Sequence, residues 1–496
     1  MRIAKTIVRD LWVVLLSASI AASPAYAANS DLPDIGSPAD AVLSKEKEQQ
    51  IGRSIYRSLR DTDSIVSDPE IQEYIQDVGQ KLAANAQDGD FRFRFFVVDD
   101  PAINAFALPG GYIGVHSGLI LTASEESELA GVLAHEVAHV TQRHISRAIF
   151  ANQRASILTM AAMLGAILVG AATGSGDAVT GAIATAQGVA VQQQINFTRG
   201  NEYEADRVGI AILADAGFDP QGMPSFFETL ARKSGPLASR APEFLRTHPV
   251  TVNRIAETRA RARDYPVADN TDALGFTLTR ARLKLLGSRT PEAALEYFLG
   301  ERENPDKAGK LGVEYGIALS YLELGRVAAA REAFETLLAS NESVIHFHTA
   351  LAATQLAQND RNGAFATYEH AMRLFPRNLP LTVRYAEALM QDNQAEKAHA
   401  VLLDLYNQVP PTPDQVRQIA LAASAAGDIA DAHHYMAEYH ILIGDLTMAA
   451  DQLRLALALP NLDDVQVARF RSRLDEIQEY IPGPDDRRQT KRDKGN

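Results

Sequence analysis

Alanines recur every 34 residues along the C-terminal half of the chain, and this repeat limits its fold more than any other feature. The series is Ala330, Ala364, Ala398 and Ala432. Two more series keep the same spacing: Phe334, Tyr368, Leu402 and Met436, and Gly325, Asn359, Asn393 and Gly427. Small residues permit close helix crossings, larger apolar residues fill the groove one turn later, and Gly or Asn suits a left-handed turn. We therefore predict repeated pairs of helices.

A helix-turn-helix unit of 34 residues is the period of tetratricopeptide repeats, which stack into a solenoid. The same three positions recur after half a period, at Gly444, Ala449 and Leu453. After a further half period, Gln466 stands where the series has a small residue. This departure indicates a capping helix over residues 465–480. The alternative is an unrelated helical bundle, in which three coincident series would be accidental.

The chain has 496 residues, more than one hydrophobic core normally serves. Helical and strand-like patterns mix before the repeats, with a strand-like segment at 91–98 and the turn Pro109-Gly110-Gly111. We predict an α+β domain over residues 28–266, an all-α repeat domain over residues 267–483, and a disordered charged tail over residues 484–496.

The N-terminus has the pattern of an export signal. Three basic residues precede an apolar run at 11–20, and small residues at 25–27 supply a cleavage site. We therefore predict a signal peptide over residues 1–27, cleaved after Ala27, and an exported mature protein. The alternative, a retained membrane anchor, fits less well because the apolar run is short.

The charge and the missing cysteines restrict partners and ligands. The formal net charge is −14 at pH 7, so the chain is not expected to bind nucleic acid. Cysteine is absent. Disulfides therefore cannot stabilise the exported protein, and any metal must be bound by His, Asp or Glu.

Residues 132–140 read VLAHEVAHV and contain the pattern H-E-x-x-H. They lie in an apolar-periodic segment that predicts a helix over about residues 125–150. Residues four apart share one face of a helix, so His135 and His139 can bind the same metal ion. Glu136 lies one residue further round, where it suits a general base acting on zinc-bound water.

A catalytic zinc site needs a third protein ligand and an open position. The metzincin pattern fails because Gln142 and Ile145 stand where it requires Gly and His, and His144 is predicted to point elsewhere. In the other arrangement a Glu comes from a second helix. Glu202 and Asp206 lie four apart in a later helical pattern. We predict Glu202 as the third ligand and Asp206 as a carboxylate that orients a ligand histidine.

Other interpretations of the acidic cluster remain open. It could be a solvent-facing helical turn, which is the ordinary interpretation of such runs. Glu204 is predicted to point away from Glu202 and to be a solvated surface acid. A purely structural zinc site is a weaker alternative, because its usual four closed ligands, often Cys, are missing. We predict one catalytic Zn²⁺ per chain.

Four segments together resemble the HtpX-type zinc metallopeptidases: residues 134–140, 202–207, 104–111, and 247–249 followed by Arg254. The resemblance implies a gluzincin-type metallopeptidase domain followed by the tetratricopeptide-repeat solenoid. It also implies zinc ligands at His135, His139 and Glu202. Glu136 would then be the catalytic acid-base, and Asp206 a candidate proton donor.

The resemblance suggests roles for two further segments. In zincins an edge strand beside the motif helix pairs with the substrate backbone, and we predict that strand at Asn104, Ala105, Phe106, Ala107 and Leu108. The alternative is an internal strand with no free edge. His248 is predicted to approach the zinc as an extra ligand or as a stabiliser of the oxyanion. The alternative is a turn histidine that is bonded locally.

Two apolar segments, residues 157–172 and 178–190, separate the two halves of the predicted zinc site. Membrane-embedded members of the family carry two spans here. Each segment of this chain is shorter than the roughly 20 residues that a span needs. A buried helical hairpin is one interpretation, and a lid or a contact with a membrane surface is the other. We therefore expect at most a peripheral membrane contact.

The order of parts implies an exported zinc endopeptidase whose repeats present a concave surface to a protein partner or client. By resemblance, the clients are misfolded or misassembled outer-membrane beta-barrel proteins and the partner is the barrel-assembly machinery. The alternative is a periplasmic chaperone or assembly factor that acts mainly through its repeats and has a restrained or idle peptidase site.

Overall fold

The computed structural model describes residues 43–86, 91–151, 199–234, 242–266, 274–303, 309–409 and 411–481. The predicted signal peptide, the two apolar segments and the charged tail lie outside these residues. In the part of the chain that is described, no helix is long and apolar enough to cross a membrane.

The N-terminal half combines helices with a small sheet. Its first elements are α1 (Lys45–Asp61), α2 (Pro69–Ala83), β1 (Arg94–Val98), β2 (Ala105–Leu108) and β3 (Tyr112–His116). The helices that follow are α3 (Ser117–Thr122), α4 (Glu126–Thr141), α5 (His144–Ala151), α6 (Arg199–Asp215), α7 (Gly222–Ser234), α8 (Glu243–Thr247) and α9 (Val252–Ala262). This half is therefore α+β, as the sequence predicts.

The three strands form a sheet of order β1-β3-β2. β1 runs parallel to β3, and β2 runs antiparallel to β3, with Phe106 opposite Gly114. A Cβ at Gly114 would lie 2.4 Å from the ring of Phe106, so a larger residue there would have to displace this ring. Within the described residues, β2 lies at one edge of this sheet.

Helix α4, which carries H-E-x-x-H, is shorter than predicted. It ends at Thr141, and α5 begins at His144. Between them Arg143 has a φ of 53°, the left-handed conformation that ends a helix. The prediction of one continuous helix over residues 125–150 is therefore wrong. The break also redirects His144.

Helix α4 is the centre of the N-terminal half, since every residue from Ser127 to Thr141 is buried. It packs against α6, α7 and β2. Glycine permits the close approach of α4 and α7, because a Cβ at Gly131 would lie 2.8 Å from the Cα of Met223. The two histidines of the motif are thereby fixed in the middle of a packed core.

The C-terminal half consists of helices throughout its described residues: α10 (Leu274–Leu286), α11 (Pro291–Arg302), α12 (Lys310–Glu323), α13 (Val327–Ser340), α14 (Ile345–Ala357), α15 (Arg361–Leu374), α16 (Leu379–Gln391), α17 (Ala395–Tyr406), α18 (Pro413–Ala425), α19 (Ile429–Leu442), α20 (Leu446–Leu457) and α21 (Asp464–Gln478). Consecutive helices pack against each other. This is the stacked arrangement that the 34-residue period predicts.

The turn series is confirmed residue by residue. All four of its members have a positive φ: 68° at Gly325, 61° at Asn359, 59° at Asn393 and 85° at Gly427. The four repeated alanines are buried. The predicted capping helix corresponds to α21, whose Phe470 is fully buried.

Helix α10 belongs to both halves. Its Phe276 and Leu283 pack in the core of the N-terminal half, whereas Leu278 and Ala281 pack in the first core of the repeats. Alternate faces of one helix therefore join the two hydrophobic cores.

A buried ionic cluster, which we call the α2 clasp, joins the halves a second time. It consists of Asp68 and Glu70 at the start of α2, Arg282 on α10 and Arg384 on α16. Arg384 Nη2 lies 3.0 Å from Asp68 Oδ2 and 3.0 Å from Glu70 Oε2. Glu70 is only 2% exposed. Burial alone would raise the pKa of Glu70, but the two arginines overcome that effect and hold it at about 2.

The left-handed turns provide a test of the repeat structure. A Cβ at Gly325 would meet no heavy atom within 4 Å, so Gly325→Ala adds backbone strain without a clash and should cost about 1 kcal/mol. Gly300→Ala is the control, because its Cβ is also unobstructed but it lies inside α11. It should be neutral or stabilising. Urea unfolding monitored by circular dichroism would measure the free energy of unfolding of both variants. Equal values for Gly325→Ala and Gly300→Ala would contradict the assignment of a left-handed turn at Gly325.

The α2 clasp predicts a pH dependence. Because the pKa of Glu70 is lowered on folding, its stabilising effect is present above pH 4.5 and disappears as pH falls through about 2. Glu70→Gln should cost about 3 kcal/mol at pH 7, and its difference from wild type should shrink toward pH 2. Glu335→Gln, in an exposed pair with Arg331, should change stability by less than about 0.5 kcal/mol. A pH-independent difference at Glu70 would contradict the prediction.

Candidate metal centre

Four buried side chains from three parts of the chain meet at one point. His135 and His139 come from α4, Glu202 comes from α6, and His248 follows directly after α8. Each offers one ligand atom, and these atoms all lie within 4.8 Å of one another. The structure therefore brings together the three predicted ligands and His248.

The distances between these atoms fit a tetrahedral zinc ion. Bonds of 2.0–2.1 Å at tetrahedral angles place two ligand atoms about 3.4 Å apart. His135 Nε2 lies 3.0 Å from His139 Nε2 and 3.6 Å from Glu202 Oε2. His139 Nε2 lies 3.5 Å from Glu202 Oε1. Two imidazoles and one carboxylate are also a donor set that catalytic zinc uses.

His248 occupies the fourth side of this group. Its Nδ1 lies 3.4 Å from His135 Nε2 and 3.2 Å from Glu202 Oε1. Its ring stacks on Phe244 of α8, with centroids 4.7 Å apart, and its backbone N–H donates to the Phe244 carbonyl at 2.7 Å. His248 therefore points into the metal centre and is more than a locally bonded turn residue.

Glu136 lies beside the four ligand atoms. Its Oε1 is 3.5 Å from His248 Nε2 and accepts no hydrogen bond from the described residues. Burial raises the pKa of Glu136, and the backbone of Ala107 in β2 partly opposes this rise. A buried carboxylate with a spare oxygen and a raised pKa can accept a proton and release it again.

Asp206 lies behind His135, with Oδ1 3.0 Å from His135 Nδ1. Arg254 donates to both Asp206 oxygens at 2.7 Å and to Glu202 Oε2 at 2.8 Å. Burial alone would raise the pKa of Asp206, but Arg254 and His135 bring it below its usual value. This geometry suits a carboxylate that orients His135. A role as proton donor stays a prediction.

A second chain of contacts lies behind His139. His139 Nδ1 is 2.8 Å from His144 Nδ1, and His144 Nε2 is 3.2 Å from Glu204 Oε2. Arg147 donates to the same Glu204 oxygen at 3.0 Å. The predictions that His144 points elsewhere and that Glu204 is only a solvated acid are therefore wrong. The break at Arg143 turns His144 toward the metal centre.

The contacts imply one set of proton positions. If His139 binds a metal through Nε2, its Nδ1 carries the hydrogen and donates to His144 Nδ1. His144 then carries its own hydrogen on Nε2 and donates to Glu204. In this arrangement each residue would orient the next, and Asp206, 3.0 Å from His135 Nδ1, would orient His135 on the other side.

Sequence reasoning missed three supporting residues: Arg254, His144 and Glu204. Arg254 follows Pro249 closely, but nothing in its spacing shows that it reaches two carboxylates on α6. His144 and Glu204 were visible as a histidine after the motif and an acid between two functional acids. Their contact depends on the helix break at Arg143, which the periodicity did not reveal.

Each half of the chain matches the model of a known protein family. The model of Peptidase family M48 matches residues 69–262, which include all four ligand candidates. A Tetratricopeptide repeat model matches residues 355–424.

Relatives are similar over most of the chain. The beta-barrel assembly-enhancing protease of Yersinia pestis is 35% identical over 458 residues, which cover 90% of this chain and 91% of the relative. The protein of the same name from Escherichia coli K12 is 33% identical over 483 residues, 96% of this chain and 97% of the relative. The mitochondrial metalloendopeptidase OMA1 of Arabidopsis thaliana is 29% identical over 187 residues, 38% of this chain and 35% of the relative. With its M48 peptidase and tetratricopeptide-repeat segments, the chain belongs to the family of beta-barrel assembly-enhancing proteases.

Proposed function

We propose that this metallopeptidase is an exported zinc endopeptidase that degrades misassembled outer-membrane beta-barrel proteins and assists their assembly. The observation that carries the proposal is Glu136 beside the ligand group of His135, His139 and Glu202. The names of the relatives supply the client class, and the predicted signal peptide supplies the periplasmic location. The repeats would recruit the clients or the barrel-assembly machinery.

In this proposal His135, His139 and Glu202 hold the zinc, which when bound polarises the scissile carbonyl and activates water. Glu136 takes a proton from the attacking water and delivers it to the leaving amine. Asp206 holds the imidazole of His135 in place. Arg254 donates to both Asp206 and Glu202 and helps to keep Asp206 ionised within the core.

The substrate backbone is proposed to pair with β2. This strand lies at the edge of the sheet and its Ala107 is close to Glu136. Main-chain pairing makes few demands on sequence, so it suits clients that are recognised by being unfolded. The predicted strand, residues 104–108, also includes Asn104, whose carbonyl accepts from the backbone N–H of His116.

His248 is proposed to restrain the enzyme by acting as a fourth ligand. A fourth protein donor would fill the position that an attacking water needs. The same observation favours the second candidate function, an assembly factor whose peptidase site is restrained most of the time. The two functions then differ in how often His248 leaves the metal.

The domain division is proposed at residues 28–266 and 267–483, although α10 packs in both cores. The peptidase half would therefore not be independent of the first repeat. The disordered tail at residues 484–496 also remains a proposal.

Glu136→Gln tests the proposed reaction. It should lower the rate of casein cleavage at least about 100-fold while zinc stays at about one per chain by metal analysis. An unfolded outer-membrane beta-barrel protein should be cleaved by wild type, whereas the same protein folded in detergent micelles should resist. Cleavage and assembly support that both survive Glu136→Gln and chelation of the metal would contradict the protease function.

His248→Ala tests the restraint. Loss of a fourth ligand should raise the rate of casein cleavage several-fold and weaken zinc retention against a chelator. His370→Ala, at an exposed histidine of the repeats, is the control and should change neither. A fall in rate at unchanged zinc content would indicate an oxyanion role instead, and no change would contradict both roles.

Glu204→Ala tests the chain of contacts behind His139. Without its acceptor, His144 loses its fixed orientation, and zinc affinity should fall about tenfold. Glu204→Gln keeps an acceptor oxygen and should lose less. Glu257→Gln, an exposed change on α9, should have no effect. Competition with a fluorescent chelator would measure the zinc affinity of the wild type and the three variants. Equal affinities would show that the contacts of His139, His144 and Glu204 do not support metal binding.

A further inference from the structure

Five arginines line one cavity between α1, the start of the sheet and the last repeats: Arg53, Arg57, Arg60, Arg92 and Arg94. The cavity has a volume of about 210 Å³, and its other lining residues are uncharged. We call it the arginine pocket. It is separate from the metal centre, since the two share no residue.

So many like charges in one cavity are unexpected in a chain whose net charge is −14. Asp61 pairs with Arg57 at 3.5 Å and with Arg60 at 3.2 Å. Asp414 adds one further carboxylate next to the lining residue Pro413. Among the described residues, the lining of the cavity contains five cations and no carboxylate, and like charges at close range repel. An anion in the cavity would remove this repulsion.

Three of the arginines are already held in position. Arg57 donates to the carbonyl of Ile443 at 3.4 Å. Arg60 donates to the hydroxyl of Tyr439 at 3.3 Å and lies over its ring. Arg94 lies over the ring of Tyr56, with 5.6 Å to the centroid. Because these side chains are ordered before binding, a ligand would lose little affinity to their immobilisation.

The remaining two arginines can receive a ligand. Arg53 and Arg92 are exposed, and neither has an ion-pair partner among the residues that the structure describes. They lie on different elements, α1 and the segment before β1. Guanidinium groups that reach a cavity from several sides suit a tetrahedral anion better than a planar carboxylate, which accepts mainly in one plane.

We propose that the arginine pocket binds a phosphate group. The five arginines come from α1 and the start of the sheet, whereas α18 and α19 of the repeats contribute only apolar residues to the lining. Free phosphate and the headgroup of an anionic phospholipid share this chemistry, and binding measurements can separate them.

Calorimetric titration of residues 28–496 with inorganic phosphate at constant ionic strength tests the pocket. The double variant Arg53→Gln/Arg92→Gln should bind phosphate at least about tenfold more weakly than wild type. Arg289→Gln/Arg471→Gln removes the same charge from exposed positions outside the pocket and should bind like wild type. Absence of binding by wild type, equal weakening in both variants, or tighter binding of glutarate than of phosphate would overturn the proposal.

Sedimentation with phosphatidylglycerol vesicles distinguishes a phospholipid headgroup from free phosphate as the ligand of the arginine pocket. A lipid ligand requires that the chain sediments with the vesicles, that inorganic phosphate releases it, and that Arg53→Gln/Arg92→Gln abolishes the binding. Phosphate binding in the titration without vesicle binding would identify free phosphate as the ligand. Arg53→Lys/Arg92→Lys should recover part of the phosphate affinity, because charge remains while the planar fork is lost.

Discussion

The metal centre depends on Arg254, a guanidinium that is only 2% exposed and faces two buried carboxylates. Two carboxylates in a protein core would normally become neutral, because burial disfavours the charged form. Arg254 and His135 oppose this effect for Asp206. His248 and His135 oppose it for Glu202, which also accepts from Arg254. Glu202, the predicted ligand, would have to be ionised to bind a metal ion, and so would Asp206 in its proposed role of orienting His135. Part of the electrostatic balance on α6 is therefore set by Arg254, which lies 48 positions away from Asp206.

The two sides of the centre are supported in different ways. His135 is backed by a carboxylate that is itself paired with an arginine, whereas His139 is backed by a neutral histidine that leads to the partly exposed Glu204. Neutral partners in a core avoid the cost of burying a further charge. The support of His139 ends near solvent at Glu204, so changes at the surface can reach a metal ligand through two hydrogen bonds.

Local patterns in the sequence predicted the parts of the site that lie on single helices. His135 and His139 are four residues apart, and so are Glu202 and Asp206, and helical geometry alone places each pair on one face. The period of 34 likewise predicted the left-handed turns, including those at Asn359 and Asn393. Long-range contacts were not predictable in this way. The contact of Arg254 with α6 and that of His144 with His139 depend on how helices cross and where one of them breaks.

The sharing of α10 between two hydrophobic cores has a mechanical consequence. A hinge needs a boundary where few apolar contacts are lost on opening, but Phe276 and Leu283 on one face and Leu278 and Ala281 on another tie this helix to both sides. Rotation of the first repeat against the peptidase would expose both cores to water. A large rotation at α10 is therefore costly, because it would separate this helix from one of the two cores that it joins.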